Sequence, residues 1–271
     1  MPESKHEDTA TRLHCPNCDG SFSLGDEVGI RTSEDRERER VYRDWATRLA
    51  PRFADFTAHL ARVPLLGATH SIGKRVLRSI AKFPHASLDL TDNWWRARVI
   101  GANARPDISE LGPPPASECK NEGRFNHVGQ RVLYVASSIE VAAAEAIRQD
   151  EGVAWVMAWR VGVRGPMLDL ASHFDESALH DDASYLAAGL SYIRPHLAEA
   201  NEGPWKPEYF VSRFIADAAR AAGFKGLRYP STRFLGDCLV LFDWDDAAVT
   251  PVGEPRQIEW NRKAAEAALP F

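Results

Sequence analysis

GRFNHVGQRVLYVASSIEVAAAE, residues 123–145, passes through three kinds of local structure in succession. Gly123 to Gln130 holds two glycines, an asparagine and the charged Arg124, the composition of a loop. Val132 to Ala136 is an apolar run of strand length, too short for a helix. Ser137-x-x-Glu140 then has the form of a capping box, which opens a helix predicted over Ile139–Gln149.

The C-terminal half continues the same mixture. Val153, Trp155, Met157, Trp159 and Val161 alternate with smaller or polar neighbours, so Val153–Val161 is a predicted strand. Leu168–Leu170 adds a short one. Helical spacing returns over Glu208–Ala222 through Phe210, Phe214, Ala218 and Ala221, with Gly223 placed just past the helix end. Gly226–Tyr229 and Cys238–Phe242 read as further strands. Residues 101–118 contain a triple proline and read as a loop. Strands and helices do not alternate regularly, and no Gly-x-Gly-x-x-Gly turn follows a strand, which argues against a doubly wound nucleotide-binding sheet. The expectation is an α+β domain over residues 91–250, with 251–271 as a tail.

The N-terminal part is different in character. Tyr42, Trp45, Leu49, Phe53, Phe56 and Leu60 recur at three- and four-residue steps, predicting a helix from Ser33 to Val63. Ser71–Phe83 is predicted as a second helix, and composition changes at Pro84. Residues 1–90 therefore read as a small helical domain with a cysteine-containing flap. Glu34 to Arg40 alternates acid and base, the mark of a solvated helix face.

A chain of 271 residues with 44% hydrophobic and 26% charged residues can bury a core, so folding is the expectation. A net charge of −5 argues against non-specific nucleic-acid binding, which needs a surplus of Lys and Arg. The N-terminus lacks the apolar stretch of a signal peptide and no membrane-spanning run is present, so a cytoplasmic protein is expected. Cys15 and Cys18 have the spacing of half a zinc site, with His6 and His14 nearby. No second close cysteine pair completes it, and free thiols are the simpler reading.

Taken singly, the polar residues of the decisive stretch have ordinary explanations. Glu145 is placed to pair with Arg148 on an exposed helix face, an interaction worth about 0.2–0.5 kcal/mol. Arg124 reads as a surface loop residue, Tyr134 as a strand aromatic, Ser231 as a turn residue after a proline. His127 reads equally as a surface residue or one facing a pocket. Their joint order is what these explanations leave unaccounted for: Trp95-Arg96-Ala97-Arg98, then Gly123-Arg124-Phe125-Asn126, Tyr134, Glu145, Tyr229-Pro230-Ser231 and Cys238 to Phe242.

In that order the motifs resemble the RES family, named for a shared Arg, Glu and Ser, over about residues 93–245. The resemblance implies a fold like that of ADP-ribosyltransferases and cleavage of the nicotinamide–ribose bond of NAD⁺, with phosphate or water as acceptor. It also implies a toxin activity restrained by a protein antitoxin. Carried over by position, Arg96, Arg124, Tyr134, Glu145 and Ser231 would form the site, Arg98 being the alternative to Arg96.

The chemistry suits these residue types. A carboxylate such as Glu145 stabilises a ribose carbon that turns cationic as nicotinamide leaves. Guanidinium groups such as Arg96 and Arg124 match phosphate oxygens. The Tyr134 ring can stack on nicotinamide and the Ser231 hydroxyl can hold its amide. No metal is required, and no Gly-x-Ser-x-Gly surrounds Ser231. Two other readings use the same grip on NAD⁺: ADP-ribosyl transfer to a macromolecule, and a non-catalytic NAD⁺- or nucleotide-binding module.

Overall fold

Apolar spacing gives the first two helices their buried faces. Ala50–Arg62 (α1) follows a π-helical turn at Trp45–Leu49 and buries Phe53, Phe56 and Leu60. Ser71–Lys82 (α2) buries Ile72, Val76 and Ile80, and the His70 side chain caps it by accepting from the Ile72 amide at 3.2 Å. The computed structural model describes residues 45–88, 90, 92–101, 104–147, 149–171, 186 and 206–268. These belong to one unit, Asp44–Phe271. The start of the expected first helix and the Cys15/Cys18 pair with His6 and His14 lie outside the described residues.

The elements that follow are β1 (Asn93–Arg98), α3 (Ile108–Leu111), β2 (Leu133–Ala136), α4 (Ile139–Ala146), β3 (Glu151–Val161) and β4 (Met167–Asp169). Then come α5 (Phe210–Ala221), β5 (Gly226–Pro230), β6 (Asp237–Leu241), β7 (Val249–Asn261) and α6 (Arg262–Ala267). The strands form one sheet in the order β4-β5-β6-β2-β1-β3-β7, antiparallel except for the β4–β5 pair. The α+β architecture expected from the sequence is the one observed.

Period-two alternation sorts the strand residues between two faces. Ala136, Leu227, Tyr229 and Val240 join the core under α1, α2 and α5, with Tyr134 packed against it, while Leu133, Val135, Met157, Trp159 and Leu239 join the opposite one. Phe53 and Phe56 are fully buried, and Phe56 meets Phe214 of α5 edge-on with ring centroids 5.2 Å apart. Each such ring contributes roughly 1.5–3 kcal/mol by leaving water. Residues 50–83, from the stretch 1–90 read as a small helical domain with a flap, pack in one core with the sheet.

Three local expectations are corrected. Residues 251–261 are not a tail: with Val249 and Thr250 they form β7, which pairs along β3 from Val161↔Val249 to Glu151↔Asn261. The 101–118 loop contains α3, closed by a capping box between Asp107 and Glu110. The cap of α4 is Ser138, whose hydroxyl accepts from the Val141 amide at 3.2 Å, while Ser137 accepts instead from the Asp237 amide at 3.0 Å. Among the described residues no helix is long and apolar enough to cross a membrane.

The feature that creates a site is a gap within the sheet. β1 is registered with β3 at all six of its residues, but with β2 at Trp95↔Ala136 alone. Continuing that ladder would set Ala97 opposite Tyr134. The strands part there instead.

Candidate active site

A cavity of about 270 Å³ occupies the gap, with Arg96 and Ala97 of β1 and Tyr134 and Val135 of β2 on its lining. Glu145 from α4, Arg124 from the 123–126 loop, Tyr229 from β5 and Arg233 complete much of the wall. Four of the five residues expected at a site therefore converge on one cavity. The fifth, Ser231, reaches it through Glu145. Arg98 is not part of the lining, so the β1 register brings Arg96 rather than Arg98 to the cavity.

Glu145 stands in the last turn of α4, where the partial negative charge of the helix end disfavours a carboxylate. Donors offset this. The Ser231 hydroxyl donates to Oε1 at 2.7 Å, the Cys238 thiol points to the same oxygen at 3.8 Å, and Arg233 Nε lies 3.9 Å from Oε2. Arg148, the expected helix partner, lies outside the described residues. Burial and the Glu145 carboxylate push the Cys238 thiol well above its ordinary range, so it stays protonated and is a donor rather than a nucleophile.

Ser231 is a hub. Its oxygen accepts from the amides of Arg233 at 3.1 Å and Phe234 at 3.3 Å while its proton goes to Glu145. Both lone pairs and the proton are thereby engaged, so the geometry makes Ser231 an orienting group for the carboxylate. The turn is fixed from outside by Arg262, which donates to the Arg233 carbonyl at 2.8 Å.

The Arg124 loop is held as firmly. The Tyr134 hydroxyl accepts from the Phe125 amide and donates to Asn126 Oδ1, both at 3.0 Å. Burial pushes the Tyr134 phenol up to about 12, which keeps that proton in place. Gly123 has no room for a side chain: a Cβ there would lie 2.3 Å from Asn126 Oδ1 and 2.8 Å from the Tyr134 hydroxyl. From α5, Ser212 donates to the Arg124 carbonyl at 2.7 Å, Arg213 to that of Gly123 at 2.9 Å, and Arg220 to that of Phe125 at 2.8 Å. Arg213 also pairs with Glu122 at 2.5 Å. So braced, the Arg124 guanidinium lies 5.1 Å from the ring centres of both Phe125 and Tyr229.

Arg96 has a different environment. Its Nη1 is buried with no hydrogen-bond partner among the described residues. Burial, followed by repulsion from Arg98, pulls its guanidinium down to about 9, leaving it cationic at neutral pH without a neutralising carboxylate. A buried cation so placed favours an anionic ligand.

His127 turns away to α5, its Nε2 2.8 Å from Asp217 Oδ2. Sequence reasoning missed Arg233, Glu208 and Tyr209 in the lining and the whole α5 clamp. Arg213 and Arg220 stand seven residues apart on one face of α5, and that spacing was the available signal. Among the described residues no group of His, Cys, Asp or Glu is arranged to hold a metal ion.

A chain of the solved M. tuberculosis MbcT–MbcA toxin–antitoxin complex is similar at a TM-score of 0.41 and 13% identity, over 73% of this chain and 98% of that chain. No curated protein matches the sequence. The RES domain matches residues 93–261, which run from the first residue of β1 to the last of β7 and make up more than half of the chain. This protein belongs to the RES family.

Proposed function

We propose that the protein cleaves the nicotinamide–ribose bond of NAD⁺ and passes the ADP-ribosyl group to phosphate or water. The observation that supports this reading best is the meeting, in one cavity, of an oriented carboxylate, Glu145, with the buried and uncompensated guanidinium of Arg96. As the bond breaks, nicotinamide leaves with the bonding electrons and the ribose carbon becomes cationic. Glu145 stabilises that charge, and Ser231 keeps the carboxylate aimed. Arg96 and Arg124 hold the pyrophosphate, or an incoming phosphate whose oxygen forms the new bond. Tyr134 and Tyr229 offer apolar surface to the nicotinamide ring.

With phosphate the products are nicotinamide and ADP-ribose 1-phosphate; with water they are nicotinamide, ADP-ribose and a proton. No step needs a metal. An enzyme that drains NAD⁺ in its own cytoplasm must be restrained, so the proposed biological setting is that of a toxin held by a protein antitoxin.

The test is incubation of the full chain with NAD⁺, with and without inorganic phosphate, following nicotinamide release and product mass beside Glu145→Gln. Release that the variant loses supports the reading, and a product one phosphate heavier than ADP-ribose identifies the acceptor. Label from NAD⁺ arriving on protein or nucleic acid would replace this reading with macromolecular ADP-ribosylation, and tight binding without release with a binding module.

A further inference from the structure

The cavity lining includes a second carboxylate, Glu208, to which the mechanism above gives no part. It sits in the 3₁₀ turn Pro207–Tyr209 that leads into α5 and is only 8% exposed. Glu145, in the same cavity, has Ser231, Cys238 and Arg233 around its oxygens. No described residue donates a hydrogen bond or an ion pair to Glu208. The residue is largely buried, but its carboxylate oxygens are not sealed from solvent, so they can accept hydrogen bonds from whatever fills the cavity.

The turn is tied to the Arg124 loop, because the Ser212 hydroxyl is shared between the carbonyls of Arg124 at 2.7 Å and Tyr209 at 3.1 Å. Glu208 and Arg124 therefore belong to one wall. Glu145 is carried by α4 and held by the 231–236 turn, a separate part of the structure.

We propose that Glu208 accepts hydrogen bonds from the diol of the adenosine ribose and selects NAD⁺ against the dinucleotide that carries a phosphate on that ribose. This rests on the NAD⁺ reading, which assigns Glu145 to the nicotinamide ribose. An ionised carboxylate only accepts hydrogen bonds, and its two oxygens match two adjacent hydroxyls. A carboxylate serves this purpose for NAD⁺ in unrelated dinucleotide folds. A phosphate in place of one hydroxyl would remove a donor and set like charges side by side, which discriminates by repulsion.

The experiment compares kcat/KM for NAD⁺ and NADP⁺ in the full chain and in Glu208→Gln. The wild type should prefer NAD⁺ by about tenfold or more, and the variant should narrow that ratio by roughly tenfold, with the loss for NAD⁺ falling on KM rather than kcat. The ratio within one preparation does not depend on how much of the variant is folded. An unchanged ratio overturns the proposal.

Calorimetric titration with the same two dinucleotides reads the ratio without turnover. Selectivity that Glu208→Gln abolishes, in a protein that releases no nicotinamide, supports the role of Glu208 and sinks only the cleavage reading. Failure of both dinucleotides to bind overturns both.

Discussion

The Ser231 hydroxyl donates to Glu145 Oε1 at 2.7 Å across 86 residues of chain, so the two side chains are held as one unit. Replacing Ser231 with Ala removes the donor to the carboxylate and the acceptor for two turn amides. A hydrogen bond to a charged group is worth about 1.5–3 kcal/mol, so kcat for nicotinamide release should fall roughly 10- to 100-fold with KM little altered. Glu145→Gln should lose at least about 100-fold. Equal activity of Ser231→Ala and wild type would remove Ser231 from the mechanism.

Gly123→Ala tests the loop. The new methyl group meets Asn126 Oδ1 and the Tyr134 hydroxyl, both already engaged with each other, so overpacking should cost roughly 1–3 kcal/mol. A thermal melt should show a fall in Tm of about 2–4 °C for each kcal/mol lost. KM for NAD⁺ should rise as Arg124 is displaced.

Tyr134→Phe keeps the ring and deletes the hydroxyl. If the ring were the whole contribution, the variant would behave as wild type. Because the hydroxyl also satisfies the Phe125 amide and holds Asn126, the expected result is a loss of about 1–3 kcal/mol in denaturant unfolding together with reduced activity.

The pH dependence of NAD⁺ binding should report on Arg96. Its guanidinium titrates near 9 in the free protein, and an anion binds the protonated form preferentially. Affinity is therefore expected to be level through neutral pH and to fall as pH rises through about 9, with proton uptake on binding in that region. Titration calorimetry in buffers of different ionisation enthalpy measures the uptake. In Arg96→Gln both the dependence and the uptake should disappear.

The extent to which this molecule could be read from its residues follows from how local each signal is. β2, α5 and α2 declare themselves by apolar spacing, and the order from Arg96 to Glu145 picked out four of the residues that line the cavity. β7 did not, because Pro251, Gly253 and Pro255 interrupt it and its polar residues face water. An edge strand tolerates proline where no ladder amide is needed, and only the distant β3 reveals the pairing. Ser137 and Ser138 are equally good caps on paper, and contact with Asp237 decides between them. Ser212, Arg213 and Arg220 act on backbone carbonyls of a loop about ninety residues away, and backbone partners leave no mark in a sequence.

The single registered pair between β1 and β2 makes the sheet two ribbons, β7-β3-β1 and β2-β6-β5-β4, articulated at Trp95 and Ala136. Twisting one ribbon against the other alters the width between Ala97 and Tyr134 without breaking a ladder. A ligand that reaches from Arg96 on one ribbon to the loop fastened by Tyr134 on the other spans the joint as a strut. Occupancy should therefore be felt as stiffness along the whole seam, well beyond the atoms it touches.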